Sequence, residues 1–160
     1  MDNEKHGSGT CPIGRGAARV PDLWSIMILR DAGLGRTRFD NFRKSLGIAP
    51  NILTRRLAAL VEDGLLQKRR YSERPPREEY VLTQSGRDYL PVLQALGAWG
   101  RTHFGEGPLS RLVDAETGRA VEPVVVDRVT GKPLSEMDLR IELPDQDGRP
   151  AFGFPLGSGG

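Results

Sequence analysis

The chain has 160 residues, of which 38% are hydrophobic and 28% charged, and its formal net charge is +2. No apolar run approaches the roughly 18 residues that a membrane-spanning helix needs, and the polar residues 1–10 lack the apolar core of a signal peptide. We therefore expect a cytoplasmic protein with no membrane contact and a disordered N-terminus over residues 1–10. The single cysteine, Cys11, excludes an intramolecular disulfide and a zinc site built from several thiolates of one chain.

The charge is unevenly distributed along the chain. Residues 1–105 hold 17 basic and 11 acidic residues, whereas residues 106–160 hold 6 basic and 10 acidic ones. Within the first part, residues 35–77 hold 11 basic and 4 acidic residues. Such a basic block is the electrostatic footprint of a nucleic-acid binder. A solvated basic surface is the alternative, and charge alone does not decide between the two.

The first helices are indicated by capping and breaking residues. Residues 11–20 predict a short helix that Pro21 interrupts. Asp22 is a good N-cap for a helix over Leu23–Gly33, which is nearly all apolar and is therefore expected at the centre of the core.

The next two helices predict a helix-turn-helix. Phe39–Leu46 has helical spacing, and Gly47 leads directly into a helix over residues 51–63, whose start suits Pro50. One side of this second helix is apolar, and the other carries Asn51, Arg55 and Glu62, with Thr54 and Arg56 on its flanks. Arginine can bind guanine and asparagine can bind adenine in a major groove. An ordinary amphipathic surface helix is the alternative for this segment considered alone.

Residues 65–82 change to an alternating pattern. Residues 65–71 and 78–82 predict two strands, and the segment Ser72–Arg77 with its two prolines is expected to break the ladder between them. Three helices followed by such a hairpin predict a winged helix of the α+β class. Arg74 and Arg77 are then expected at the wing tip, beside phosphates or a minor groove.

A long helix over residues 86–104 follows, capped by Thr83 and expected to kink at Pro91. It has little of its own chain left to pack on, so we favour a dimer interface over a core helix. The residues predicted for this interface are Leu90, Leu93, Leu96, Trp99 and Phe104.

The last third differs in character. The pattern V-D-x-x-T-G-[R/K]-[A/P] occurs from Val113 and again from Val126, and each copy predicts a strand, a glycine turn and a return strand. Residues 106–143 are therefore expected to form a small β-module, and residues 144–160, rich in Gly and Pro, a flexible tail.

Several motifs together carry a family resemblance over residues 11–105. They are Cys11-Pro12, the run LWSIMILRD, Arg38-Phe39, I-x-P-x-x-L-T-x-R-L over Ile48–Leu57, E-D-G-L-L at Glu62–Leu66, and R-P-P-R-E-E-Y-x-L-T over Arg74–Thr83. In these motifs the chain resembles the HxlR family of bacterial winged-helix transcription regulators. The resemblance implies a homodimer that binds a palindromic operator in double-stranded DNA, represses or activates a gene, and is associated with the nucleoid.

The resemblance and the residue pattern together give the expected site. The predicted DNA-binding residues are Arg38, Asn51, Thr54, Arg55, Arg56, Arg74 and Arg77. Some family members sense oxidants or electrophiles with a cysteine at the position of Cys11, and a small-molecule effector is a further expectation. The commoner fate of a free cysteine is a buried, inert thiol, so both interpretations stay open.

Three departures from the family pattern matter. Family members often have Gly and a basic residue where this chain has Pro21 and Leu23, so the start of the second helix is expected to differ. Ala49 stands where the family usually has a better N-cap, a difference of about 1 kcal/mol. In the β-module, which resembles a tail with zinc-binding cysteine pairs in some members, Asp127 and Thr130 stand where a Cys-x-x-Cys pair would be. Threonine is not a practical zinc ligand, so we expect no metal and no cofactor.

Two other classes of function are alternatives to a DNA-binding regulator. One is a winged helix used for protein or RNA contacts, and a protein-binding winged helix would more often expose apolar residues over residues 51–56. An enzyme is not expected, because the sequence has no nucleophile–base pair, no glycine-rich phosphate loop and no metal cluster. Its two histidines, His6 and His103, are far from Cys11 in sequence.

Overall fold

The computed structural model describes residues 8–155, without the side chain of Phe152, and divides them into a unit up to Leu96 and a unit from Gly97 onward. The predicted disorder over residues 1–10 therefore falls mostly outside the described residues. Within residues 8–155 no helix is both long enough and apolar enough to span a bilayer.

The first unit begins with two capped helices. Helix α1 spans Pro12–Arg19 and helix α2 spans Leu23–Gly33. Asp22 caps α2 through its carboxylate, which accepts hydrogen bonds from the backbone N–H groups of Trp24 at 3.0 Å and Ser25 at 3.3 Å. The predicted bounds and cap of this helix are confirmed.

The helix-turn-helix is formed by α3 (Phe39–Leu46) and α4 (Pro50–Glu62). Gly47 ends α3 in the left-handed conformation, with φ at 62°, which glycine adopts without a steric cost. Proline occupies the first turn of α4, and Ala49 makes no side-chain capping hydrogen bond. Both features were predicted from the sequence.

The core of this unit lies where α2, α3, α4 and the first strand meet. Its fully buried side chains include Ile28, Leu29, Phe42, Leu53, Leu57, Leu60 and Leu66. Helix α2 supplies the centre of this core, as its apolar sequence predicts. Because α4 buries its leucine stripe here, its opposite face is left for solvent.

The wing is an antiparallel hairpin of β1 (Leu66–Glu73) and β2 (Pro76–Leu82). The predicted break over Ser72–Arg77 is wrong in extent, because the pairing continues to Glu73 and Pro76 and leaves only two residues between the strands. Pro76 is tolerated because it is the first residue of its strand. The register shifts between Arg70 and Ser72, which places an irregularity at Tyr71.

Helix α5 spans Gln84–Phe104 and begins against the base of the wing. The Thr83 hydroxyl accepts a hydrogen bond from the backbone N–H of Gly86 at 3.1 Å and donates to the Gly64 carbonyl oxygen at 2.6 Å. Thr83 therefore caps the helix, as predicted, and also ties it to the turn after α4.

The second unit contains the duplicated pattern. In the first copy the Asp114 carboxylate accepts hydrogen bonds from the Thr117 hydroxyl and backbone N–H, both at 2.7 Å. Asp127 and Thr130 repeat this arrangement at 2.7 and 2.8 Å. The predicted strands around each turn are reduced to single bridges, Val113 with Ala120 and Val126 with Pro133.

The prediction of a flexible tail is wrong for residues 144–155, which contribute to a β-hairpin. Strand β3 (Arg140–Pro144) pairs in an antiparallel hairpin with β4 (Pro150–Pro155), so the expected boundary at residue 144 falls inside a hairpin. The sequence signal that was missed is the turn between them. The Asp145 carboxylate accepts a hydrogen bond from the Arg149 backbone N–H at 2.8 Å, and Gly148 adopts a φ of 76°. The rest of the predicted tail, residues 156–160, lies outside the described residues.

Candidate nucleic-acid interface

Helix α4 has one buried and one exposed face. Leu53 and Leu57 are fully buried, whereas Asn51, Thr54 and Arg55 are exposed. The Thr54 hydroxyl donates to the Pro50 carbonyl oxygen at 2.9 Å, so its proton is used within the helix while its oxygen can still accept a hydrogen bond. The exposed face therefore offers an amide, a methyl group and a guanidinium, which are groups that recognise base edges.

Arg56 differs from its neighbour Arg55. Its guanidinium Nη1 lies 3.2 Å from Asp22 Oδ2, and its side chain is 30% exposed. Its Nε is buried and has no hydrogen-bond partner among the described residues. The structure thus groups Asn51, Thr54 and Arg55 on one face, and it places Arg56 against the start of α2.

The wing tip carries two exposed cations. Along the hairpin, Lys68 pairs with Glu78 at 3.4 Å and Arg70 pairs with Glu73 at 3.2 Å, so the basic charges of the strand are largely matched by acids. Arg74 and Arg77 are exposed, and within residues 8–155 neither forms an ion pair. Unpaired arginines at the end of a hairpin are suited to contact phosphates.

The base of the wing is fixed by a polar cluster that the sequence analysis missed. Glu79 is buried and accepts from Arg69 Nε at 2.9 Å, directly across the hairpin. Hydrogen bonds from the Thr37 side chain and from Arg69 hold the pKa of Glu79 below its ordinary value. The backbone N–H of Tyr80 donates to the Thr37 carbonyl oxygen at 2.7 Å. The cross-strand pairing of Arg69 with Glu79 is the signal that would have indicated this cluster.

Arg38 joins the same region. It precedes α3, and its guanidinium carbon lies 4.5 Å from the centre of the Tyr71 ring in β1. This stacking holds an exposed cation between the helix-turn-helix and the wing. Arg38 is therefore positioned by the wing, which its sequence position did not indicate.

Helix α5 divides the five predicted interface residues into two groups. The Leu90 side chain packs closely against Gly33 of α2, and Leu93 packs against the core of its own chain. Leu96, Trp99 and Phe104 are exposed, and the rings of Trp99 and Phe104 lie 5.1 Å apart with their planes at 67°. A tryptophan and a phenylalanine exposed together are typical of a protein contact surface.

Cys11 is exposed and caps α1. Its Sγ accepts a hydrogen bond from the backbone N–H of Gly14 at 3.4 Å. The neighbouring Arg15 guanidinium donates to the Gly9 carbonyl oxygen at 2.6 Å. The Cys11 thiol is thus exposed in the single chain and not buried, unlike the inert thiol that was the alternative expectation.

Comparisons with known proteins decide the family. The model of the HxlR-like helix-turn-helix family matches residues 20–107. The chain belongs to this family. It is 33% identical to the HTH-type transcriptional regulator Rv3095 of Mycobacterium tuberculosis over 132 residues, which cover 81% of this chain and 84% of the relative.

Two solved structures extend the comparison. PA1607, assigned as a transcription factor, is 39% identical, with a TM-score of 0.77 over 85% of this chain and 96% of that chain. The redox regulator HypR in its reduced form is 27% identical, with a TM-score of 0.55 over 59% of this chain and 94% of that chain. The predicted fold class, a winged helix of the α+β class, is confirmed, and the chain is a DNA-binding transcriptional regulator of the helix-turn-helix type.

Proposed function

We propose that the chain binds a palindromic operator as a symmetric dimer, with α4 in the major groove. The observation that carries this proposal is the exposed polar face of α4, opposite the buried leucine stripe. Asn51, Thr54 and Arg55 read base edges. Arg38, Arg74 and Arg77 contact phosphates or the minor groove at the wing.

The proposed dimer forms through the exposed part of α5. Leu96, Trp99 and Phe104 pair with the same residues of a second copy, since an apolar surface on a two-fold axis is self-complementary. A two-fold arrangement places the two copies of α4 about one DNA turn apart, roughly 34 Å. This spacing matches a palindrome whose half-sites face the same side of the duplex.

Two arginine variants test the division between base and phosphate contacts. Arg55→Ala should weaken the specific site by about 1–3 kcal/mol and relax base preference, because it removes a base contact. Arg77→Ala should weaken all DNA similarly and reduce the salt dependence. Arg140→Ala in β3, which removes the same charge in the second unit, is the matched control.

The assay is a fluorescence titration of specific and unrelated duplexes at two salt concentrations. The expected result is that Arg55→Ala lowers the ratio of specific to non-specific affinity, whereas Arg77→Ala leaves that ratio unchanged. Specific binding that survives Arg55→Ala intact would show that the assigned face is wrong.

The effector is proposed to act at Cys11. Two observations support this role: the thiol is exposed at the start of α1, and a similar protein, HypR, is a redox regulator. Hydrogen peroxide would oxidise the thiol to sulfenic acid and would itself be reduced to water. The new S–OH group adds a polar group at the helix cap. Operator binding by wild type and by Cys11→Ser, each with and without peroxide, tests the idea. An equal response of both proteins would make Cys11 structural.

A further inference from the structure

Two ion pairs join the junction between α1 and α2 to helix α4. Arg19, the last residue of α1, places Nη1 2.6 Å from Asp63 Oδ1 at the end of α4. Asp22, the N-cap of α2, places Oδ2 3.2 Å from Arg56 Nη1. Helices α2 and α4 bury side chains in the core of the unit, whereas α1 has no buried residue, so Arg19 ties an exposed helix to the end of α4.

The positions on α4 give these pairs a geometric meaning. Arg56 and Asp63 are separated by about two helical turns, so they lie on the same side of the helix. Their partners are close together in the chain, on either side of the buried Val20. The short segment of residues 19–22 therefore contacts α4 at two positions along the helix axis. These two contacts restrain both the tilt of α4 and its rotation about its own axis.

The pair at Asp22 is more enclosed than an ordinary surface ion pair. The side chains of Arg56 and Asp22 are only 30% and 24% exposed, compared with 54% and 86% for Arg43 and Asp40 on α3. Asp22 is itself fixed, because its two oxygens also accept hydrogen bonds from the backbone and hydroxyl of Ser25. The Arg56 guanidinium therefore has Nη1 directed to Asp22, and its side chain is far more enclosed than that of the exposed Arg55.

We infer that Arg56 is a positioning residue rather than a DNA contact, and that Asp22 and the Arg19–Asp63 pair act with it to fix the angle at which α4 presents its exposed face. This inference rests on the proposed function, in which that face reads bases. A rotation of α4 would move Asn51 and Arg55 away from the base edges together, while the wing cations would keep their phosphates.

Asp22→Asn is the sharpest test because it separates the two roles of Asp22. Asparagine caps a helix about as well as aspartate, but it loses the carboxylate that pairs with Arg56. Affinity for the specific site should fall about three- to tenfold, as for a partly buried pair, whereas non-specific affinity and the salt slope should not change. Asp40→Asn, the same change at an exposed and loosely paired acid, should leave all three quantities unchanged.

The second pair allows a charge exchange. Arg19→Asp alone should lower specific affinity, because it places like charges together. The double variant Arg19→Asp with Asp63→Arg should recover most of the loss, since it restores an attractive pair of opposite polarity. Failure of the double variant to recover would overturn the role of this pair.

The result that would overturn the role of Arg56 is equally definite. If Arg56→Ala reduces the salt slope by about one phosphate contact and Asp22→Asn has no effect, Arg56 touches DNA. Hydrogen exchange of the α4 backbone without DNA separates this inference from the proposed function. If the Asp22–Arg56 pair restrains α4, the α4 backbone should exchange faster in Asp22→Asn, even if the protein were to show no sequence preference. Unchanged exchange would refute the inference.

Discussion

Gly86 is a position where a single added methyl group should destabilise the protein. It is buried in the first turn of α5, where the helix approaches the base of the wing. A Cβ at this position would overlap the Leu65 carbonyl oxygen and lie 2.9 Å from Leu82 Cδ2. Relaxed carbon contacts are about 3.5–4.0 Å, so one of the two elements would have to move.

The cost can be worked out from the contacts that this movement disturbs. The Leu65 carbonyl oxygen accepts a hydrogen bond from the Thr83 backbone N–H at 3.1 Å and lies 3.2 Å from the Thr83 hydroxyl oxygen, whose proton it shares with the Gly64 carbonyl oxygen. Overpacking of this kind costs about 1–3 kcal/mol, and replacing glycine in a helix returns at most about 1 kcal/mol. We therefore expect Gly86→Ala to lower the free energy of unfolding by about 1–2 kcal/mol, after these terms partly cancel.

The same substitution in the same helix provides the control. A Cβ at Gly97 meets nothing within 4 Å, so Gly97→Ala should keep the helical gain and raise stability by up to about 1 kcal/mol. Urea unfolding followed by circular dichroism measures both variants at equal protein concentration. If both variants change the free energy of unfolding in the same direction, the close approach of α5 to the wing base does not require glycine at position 86.

Three further predictions concern stability. Ala49→Ser should stabilise the protein by about 0.5–1 kcal/mol in thermal unfolding, because it supplies the cap that α4 lacks. Leu57→Ala should cost about 2–5 kcal/mol in urea, because Leu57 is fully buried. The pKa of Glu79 is lowered by Thr37 and Arg69, so its contribution is present above its ordinary pKa and is lost as the pH falls through the lowered one. Glu79→Gln should therefore reduce the loss of stability between neutral and acidic pH, and an unchanged pH profile would contradict this.

The local elements could be predicted because local chemistry determines them. The exact bounds of α2 and α3 follow from the Asp22 cap and from Gly47, which act within one helical turn. The hairpin β3–β4 was missed because glycine and proline content was given more weight than the turn residues Asp145 and Gly148. Composition describes an average, whereas a turn depends on single positions.

The candidate site could be predicted only in part, since neighbouring residues of one type have different partners. Arg55 and Arg56 look alike in the sequence, and a helical projection places both near the polar face. Only the fold brings Asp22 to within 3.2 Å of Arg56, and Asp22 is far from Arg56 in sequence. The same limit applies to Glu79, whose burial depends on Thr37 from another element.

Helix α5 shows this limit most clearly, and it gives the last prediction. Its leucines share one spacing, but Leu93 packs on the core of its own chain whereas Leu96 is 44% exposed. Leu93 is partly buried, so a charge at position 93 would lose part of its hydration against the apolar core and should destabilise the fold. Leu96→Asp should leave the thermal stability of the folded monomer unchanged. It should abolish the proposed dimer, because its charge would lie in the interface. Sedimentation analysis with circular dichroism tests both variants. If Leu96→Asp stays dimeric, the exposed part of α5 is not the dimer surface. If Leu93→Asp folds as a stable monomer, the division of α5 into core and interface residues is wrong.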